Sequence, residues 1–186
     1  MEDFGAHVTE VLGQDWTDFG GRIEALKQSP PFLPFGEEEA VVLAMAQWFK
    51  HDFMTWVDPI KCPSCGGETK YSGMAQPTQS EVDQGAGRVE SHRCVSCRTE
   101  RRFMRVNKVS TLLKTREGRC GRSHTGSSCQ DGAHRSGEFA HLFYVLLQAR
   151  GIGARYIWNS EDHVWSEYWS PTLKHWVHVD SWYVNS

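Results

Sequence analysis

The chain of 186 residues contains no apolar run close to the roughly 20 residues that a membrane-spanning helix needs. Its first residues, MEDFGAH, lack the basic start and the apolar core of a secretion signal. These two absences predict an unexported protein with no membrane partner. A positive net charge is also lacking, because 20 Lys and Arg stand against 23 Asp and Glu, a balance of −3. This balance argues against nucleic acid as a general partner.

One stretch lacks large apolar side chains altogether. Residues 122–136 contain no Ile, Leu, Val, Phe, Met, Trp or Tyr. Such a stretch cannot supply a core face, so we expect a polar insertion at about 121–136 that forms an exposed loop. Within it, Cys129, His124 and His134 leave a second metal site as the alternative to simple solvation.

Four of the six cysteines form two C-x-x-C pairs. In an unexported protein this pattern favours metal binding over disulfides, with free thiols or a redox pair as alternatives. Two such turns complete a tetrahedral Zn²⁺ site, whose predicted ligands are Cys62, Cys65, Cys94 and Cys97. A site with four cysteine ligands has no open position for chemistry. We therefore expect one structural zinc ion that holds together a module at about 58–106.

A short basic run follows the second pair and consists of Arg98, Arg101, Arg102 and Arg105. Two interpretations are open, a solvated strand face beside the metal site and a patch that binds nucleic acid. The acidic net charge favours the solvated face.

The first 35 residues mix short apolar and proline-rich pieces, and we interpret them as an N-terminal arm. From residue 36 to residue 186 the pattern predicts a folded core. Glu37 to Asp52 is a predicted helix, with acidic residues at its positive end. A second helix begins near Gly137, because apolar residues recur there at steps of three and four and Gly151 can end it. The residues of that stripe are Phe139, Leu142, Phe143, Leu146 and Leu147.

Three strands follow the second helix, since polar and apolar residues alternate from about Tyr156 to Asp180. Ser170 to Lys174 makes a short turn, so the last two strands should form an antiparallel hairpin. Pairing outward from that turn places His163 opposite or diagonal to Asp180, within side-chain reach. An imidazole beside a carboxylate is half of a nucleophilic site.

The other half would be a thiol or hydroxyl at the start of the helix, where the positive helix end favours a thiolate. Cys120 and Ser136 compete for this place. Cys120 stands before the polar insertion, whereas Ser136 directly precedes the helix and would also serve as a good N-cap without any catalysis. The choice between them stays open at this point.

The chain resembles a known family in the two C-x-x-C pairs and in G-R-C-G, G-E-F-A-H-L-F, D-H-V-W and W-V-H-V-D-S, which occur in that order. These motifs are similar to those of the cytoplasmic peptide:N-glycanases. The resemblance implies an α+β fold with a papain-like, transglutaminase-like core, in which a helix packs on an antiparallel sheet beside the four-cysteine zinc module.

The resemblance also implies an amidase that removes N-linked glycans from misfolded glycoproteins by a Cys-His-Asp mechanism. Carried over to this chain, Cys120 would be the nucleophile, His163 the general base and acid, and Asp180 the residue that orients His163. Trp56 would stabilise the oxyanion through its indole N–H, with a core position as the alternative. The implied surroundings are the cytoplasm or the nucleus, and the implied partner is a proteasome shuttle protein.

Three further expectations come with this resemblance. Trp165 and Trp169 offer sugar-stacking surfaces, although alternating strand positions favour a place in the core. The family runs directly from G-R-C-G into the helix, whereas here the polar insertion intervenes. The alternative function is therefore an inactive relative that binds glycoproteins or degradation partners.

Overall fold

The computed structural model of the chain describes residues 4–13, 16, 18–28, 36–56, 59–106, 109–114, 133–161 and 163–181. The chain divides into two compact units, Met1–Met54 with Phe139–Ser186 and Thr55–Glu138. Helices and antiparallel sheets together confirm the predicted α+β class. The predicted domain boundaries at residues 1–35, 36–186 and about 58–106 stay a prediction.

The elements are numbered along the chain. The helices are α1 Phe4–Leu12, α2 Gly20–Gln28, α3 Glu37–Trp48, α4 Gln79–Asp83, α5 Val109–Lys114 and α6 Ser136–Ala149, and a π-helical turn, Phe49–Phe53, follows α3. The strands are β1 Thr55–Trp56, β2 Thr69–Ala75, β3 Ala86–Cys94, β4 Glu100–Val106, β5 Ala133–His134, β6 Ala154–Trp158, β7 Val164–Ser170 and β8 His175–Val179. No helix in the described part of the chain is both long enough and apolar enough to cross a membrane.

Helices α3 and α6 form the core of the first unit. All five residues of the stripe predicted for α6 are buried. The ring of Phe49 lies 5.6 Å from that of Phe139 and 5.2 Å from that of Phe143, measured between ring centroids. The predicted helix at Glu37 to Asp52 is also present, although its last turn is π-helical. Both predicted helices are therefore present, and the apolar stripe of α6 is its buried face.

Helix α6 ends as its sequence predicts. Gly151 has a φ of 75°, a conformation that glycine adopts without the strain a side chain would add. The amide of Gly151 donates to the carbonyl of Gln148, and that of Ile152 donates to the carbonyl of Leu147. These two bonds form a Schellman motif, which closes the helix and directs the chain into β6.

The described residues of the predicted N-terminal arm, 4–13, 16 and 18–28, include packed helices. They contain α1 and α2, and Val8, Trp16 and Phe19 are buried. The guanidinium of Arg150 lies 6.0 Å from the ring centroid of Trp16 and 5.8 Å from that of Phe19. Burial of these apolar side chains offsets the entropy lost in ordering the segment.

Strands β6, β7 and β8 form an antiparallel sheet in that order. Alternate residues of β7 point inward, among them the buried Val164, Ser166 and Tyr168. The hydroxyl of Ser166 donates to the carbonyl oxygen of Ala140 at 2.9 Å, which fixes the sheet against α6. The predicted packing of a helix on an antiparallel sheet is therefore confirmed.

A buried carboxylate anchors the turn between β7 and β8. Glu39, in the first turn of α3, accepts hydrogen bonds from the hydroxyl of Ser170 and from the amide and hydroxyl of Thr172. Burial raises the pKa of Glu39, but these hydrogen bonds and one from its own backbone outweigh burial, so the net shift is downward. The turn that sets the register of the hairpin is thus held from outside the sheet.

The second unit contains the antiparallel sheet β2–β3–β4 and a short parallel pair, β1 with β5. The stretch from Ser72 to Gly87 is rich in Ser, Gln and Gly, a composition that predicts an exposed loop, and this prediction is wrong. Backbone pairing to β3 makes it strand, and a capping box at Thr78 and Glu81 starts α4. The predicted insertion at about 121–136 ends in β5 and the start of α6, and residues 115–132 lie outside the described part.

Candidate active site

The outward face of the sheet β6–β7–β8 carries a continuous set of polar and aromatic side chains. On β7, outward positions alternate with the buried ones that face α6. Register places Glu167 opposite His178 and Trp169 opposite Trp176. A sheet packed on helices through one face leaves the other face to the solvent, where a substrate can reach it.

His163 and Asp180 meet at one end of this face. Ser166 pairs with Val179, so the register places His163 diagonal to Asp180, as the predicted hairpin required. The His163 Nε2 atom lies 3.8 Å from Asp180 Oδ2. The Asp180 side chain is 16% exposed and that of His163 is 44% exposed, so the imidazole faces solvent while the carboxylate is shielded. Because Nε2 faces the carboxylate, Nδ1 is the atom left to exchange a proton with a nucleophile.

A short loop before β7 fixes the backbone of His163. The side-chain oxygen of Asn159 accepts hydrogen bonds from the amides of Glu161 at 3.1 Å and His163 at 3.0 Å. The amide of Asn159 in turn donates to the carbonyl of His163 at 3.0 Å. Asn159 was not singled out from the sequence. Its signal was the Asn-Ser pair directly after a predicted strand, which is typical of a turn.

A second imidazole approaches the same carboxylate. The Nε2 atom of His178 lies 4.0 Å from Asp180 Oδ2. The indole of Trp165 stacks with both imidazoles, at centroid distances of 5.2 Å to His163 and 5.3 Å to His178. The alternation on β8 put His178 on the face of Asp180, but sequence analysis assigned it no place in the site.

Glu167 organises the middle of this face. It accepts a hydrogen bond from Arg155 Nε at 2.7 Å and one from the indole N–H of Trp165 at 3.1 Å. Burial raises the pKa of Glu167, but the bonds from Trp165 and Arg155 outweigh burial and lower it. The guanidinium of Arg155 also lies 4.3 Å from the ring centroid of Trp176. Glu167 therefore stays ionised and holds two neighbours in place.

Two tryptophans for which a core position was considered, Trp169 and Trp56, are exposed. Trp169 is 40% exposed and makes an edge contact with Trp176, at 5.8 Å between centroids, while Trp165 is half-buried. Trp56 is also 40% exposed, on β1 in the second unit. The core interpretation is therefore wrong for both Trp169, which lies at an outward position of β7, and Trp56. The catalytic role of Trp56 stays a prediction.

The nucleophile stays a prediction as well. Cys120 lies outside the described residues, as do Cys129 and His124. Ser136 is the first residue of α6 and not its N-cap. The residue before it, Arg135, donates its amide to Glu138 Oε2 at 3.3 Å, which is half of a capping box.

The basic run is only partly solvated. Arg102 donates from Nε and Nη2 to the two carboxylate oxygens of Glu81 at 2.9 Å and 2.8 Å. Arg105 is buried and donates to Glu138 at 2.6 Å and 2.9 Å and to Glu90 at 2.9 Å. The prediction of a solvated strand face is wrong for Arg105, which is buried among acidic partners of the second unit, whereas the Arg102 side chain is paired with Glu81 but 38% exposed.

The four cysteines of the C-x-x-C pairs converge on one point. One sulfur from each of Cys62, Cys65, Cys94 and Cys97 lies within 4.8 Å of the others. Each pair is followed by a residue of positive φ, Gly66 at 69° and Arg98 at 65°, so the two turns have similar shapes. Hydrogen bonds from the hydroxyl and amide of Thr99 lower the pKa of Cys97 to about 6. Four thiols that converge in this way fit a closed metal site.

Residues 69–181 match the sequence model of the transglutaminase-like superfamily. Three relatives named peptide-N(4)-(N-acetyl-beta-glucosaminyl)asparagine amidase are similar over most of the chain. The protein of Yarrowia lipolytica is 38% identical over 149 residues, that of Candida glabrata 40% over 144, and that of Homo sapiens 36% over 150. These alignments cover 79%, 76% and 80% of this chain. The chain spans 37% of each yeast relative and 20% of the human one.

Proposed function

Because this chain belongs to the transglutaminase-like superfamily, we propose that it is a peptide-N4-(N-acetyl-beta-glucosaminyl)asparagine amidase that removes N-linked glycans from misfolded glycoproteins. The similarity to relatives of that name supports the substrate. One observation carries the chemistry: His163 lies beside the shielded Asp180 on a solvent-facing sheet and keeps Nδ1 for a nucleophile.

The first half of the proposed reaction forms a thioester. His163 takes the thiol proton of Cys120, and the thiolate attacks the side-chain amide carbon of the glycosylated asparagine. The indole N–H of Trp56 stabilises the oxyanion. The carbon–nitrogen bond then breaks as His163 returns the proton to the leaving nitrogen, which releases the glycosylamine. Asp180 stabilises the imidazolium between the two proton transfers.

The second half hydrolyses the thioester. His163 removes a proton from water, and the resulting hydroxide attacks the thioester carbon. The carbon–sulfur bond breaks, the Cys120 sulfur regains a proton from His163, and an aspartate remains in the peptide. No cofactor takes part in either half.

Exposed tryptophans supply a surface for the sugar in this proposal. Sugar rings stack their C–H faces on indoles, and an exposed indole makes this contact without first being uncovered. Trp169 is 40% exposed, and Trp165 stacks directly with His163. The stacking interpretation of the sequence is therefore the one that we retain.

For the four-cysteine site we propose one structural Zn²⁺, bound by Cys62, Cys65, Cys94 and Cys97. Zinc is the common occupant of tetrahedral sites with four thiolate ligands. It would neutralise charge on the thiolates and hold the ends of β2, β3 and β4 together. Reduced thiols fit a cytoplasmic or nuclear location, where we also place the proposed partner, a proteasome shuttle protein.

The test is deglycosylation of a denatured N-glycoprotein by the purified chain, with the new aspartate detected by mass spectrometry. We expect Cys120→Ala and His163→Ala to abolish release, because they remove the nucleophile and the base. Ser136→Ala is the matched control at the competing position and should keep most of the activity. Full activity in Cys120→Ala would contradict the mechanism. No activity in folded, metal-loaded wild-type protein would favour an inactive relative that binds glycoproteins.

A further inference from the structure

A closed circuit of ion pairs, completed by one backbone hydrogen bond, ties the start of α6 to the sheet β2–β3–β4. We propose that this circuit fixes where α6 begins, and that Arg105 is a positioning residue for the nucleophile at that helix start. The structural part stands on the geometry alone. The catalytic part rests on the proposed amidase, in which the thiolate lies at the positive end of α6.

The circuit has four members. Arg105 on β4 binds both oxygens of Glu138, in the first turn of α6, through Nε at 2.6 Å and Nη2 at 2.9 Å. Its Nη1 atom donates to Glu90 on β3 at 2.9 Å. The other oxygen of Glu90 lies 3.4 Å from Nη1 of Arg135, whose amide returns to Glu138. Two positive and two negative groups thus neutralise one another.

The geometry is suited to positioning. A guanidinium that binds both oxygens of a carboxylate fixes distance and orientation, which a single point charge does not. Glu138 makes this pair while it caps the helix through the amide of Arg135. One carboxylate therefore sets both the residue at which α6 starts and the place on the sheet where it starts.

The sheet side of the circuit is well braced. The imidazole of His92 lies 3.2 Å from the carboxylate of Glu90, and the guanidinium of Arg135 lies 5.6 Å from the ring centroid of Phe103. Glu90, His92 and Cys94 are spaced two residues apart on β3 and therefore lie on one face of the strand. Cys94 belongs to the four-cysteine cluster. The circuit and the four-cysteine site therefore share strand β3.

The consequence for catalysis follows from the position of the helix end. A reacting group that is displaced by about 1 Å loses roughly a hundredfold in rate. Without the pair to Arg105, the first turn of α6 would keep its cap but lose its fixed place on β4. We therefore expect the loss in kcat, with little change in KM.

The test is hydrogen exchange of the full, metal-loaded chain, read at the first amides of α6 that donate within the helix, from Phe139 onward. The variant is Arg105→Met with Glu138→Gln, which removes the pair, leaves no unpaired charge at either position and keeps the cap. Arg102→Met with Glu81→Gln is a closely matched control, since Glu81 also caps a helix, α4, and also binds an arginine of β4 through both oxygens.

We expect exchange at the α6 start to be about tenfold faster or more in the first variant and unchanged in the control. Arg105→Lys, which keeps the charge but loses the fork, should fall between the variant and wild type. Exchange as slow as wild type in the first variant would overturn the inference. So would equal acceleration in the control, because it would show a general loosening of the sheet.

The catalytic part has its own readout. In an active enzyme, Arg105→Met with Glu138→Gln should lower kcat about a hundredfold with KM nearly unchanged, and unchanged kcat would overturn the positioning role. If wild type has no amidase activity, the proposed function fails. The exchange result still decides whether the circuit fixes the helix.

Discussion

The described part of the chain contains two three-stranded antiparallel sheets that are stabilised in different ways. The buried positions of β6–β7–β8 are mainly apolar, such as Val164, Tyr168 and Val179, and this sheet packs on α6. The sheet β2–β3–β4 instead buries Glu90, His92 and other polar groups and depends on ion pairs and on four clustered thiols.

The difference fits the place of the proposed chemistry. A sheet held by apolar packing on one face leaves its other face free for His163, Asp180 and the tryptophans. A sheet with so many buried polar groups has little apolar area to bury, so cross-links must replace it. The second arrangement gives rigid anchor points, and the Arg105–Glu138 pair uses one of them.

Metal removal should give the largest difference in hydrogen-exchange protection between the two sheets. A structural four-cysteine site contributes roughly 10 kcal/mol or more, so a chelator should abolish hydrogen-exchange protection in β2–β3–β4. The strands β6–β7–β8, which contain no metal ligand, should keep theirs. Cys94→Ser should reproduce the effect without chelator. Simultaneous loss of protection in both sheets would show that they form one cooperative unit.

The stability of the sheet β6–β7–β8 also depends on one polar side chain, Glu39, and the substitution Glu39→Ala tests this. Without this carboxylate, the buried hydroxyl of Ser170 and the part-buried donors of Thr172 lose their acceptor, and we expect a loss of about 1–3 kcal/mol in urea unfolding. Glu37→Ala, in the same helical turn but exposed, is the control and should change stability by less than about 0.5 kcal/mol. Equal effects would mean that charge near the helix end matters and the buried contacts do not.

Acid should destabilise the sheet β2–β3–β4 by protonating Glu81, the partner of Arg102 on β4. The hydrogen bond from Arg102 lowers the pKa of Glu81 to about 2, below its value of about 4.3 in the unfolded chain. The stabilisation is therefore fully present above about pH 4.3 and is lost as pH falls towards 2. Melting curves of wild type and of Arg102→Met with Glu81→Gln should converge over that range. A constant difference would contradict this assignment.

The smallest effect concerns the metal turns. Arg98 has a φ of 65°, where Gly66 stands in the other turn at 69°. Arg98→Gly relieves the strain of a side chain in this region, and we expect a gain of less than about 1 kcal/mol in thermal unfolding. Gly66→Ala is the matched opposite and should destabilise the same site. A loss in Arg98→Gly would show that the arginine side chain makes a stabilising contact.

Where the sequence pattern was periodic, it predicted the fold well. The stripe of α6, its stop at Gly151 and the turn after Ser170 follow from spacing and from glycine or proline chemistry. The turn sets the register of the two strands, and that register brings His163 close to Asp180. The pattern failed for the strand and helix between Ser72 and Gly87, because backbone pairing to β3 and a capping box, not apolar periodicity, order them.

The sequence by itself determined helix α6, the strands of the sheet β6–β7–β8, the grouping of the four cysteines and the pairing of His163 with Asp180. Each depends on neighbours close along the chain or on a repeated spacing. Only the tertiary structure decided that Arg105 is buried and that His178 shares Asp180. Charged side chains can be solvated or paired, and the partners that decide between these states lie far apart in sequence. Glu138, for example, stands 33 residues after Arg105.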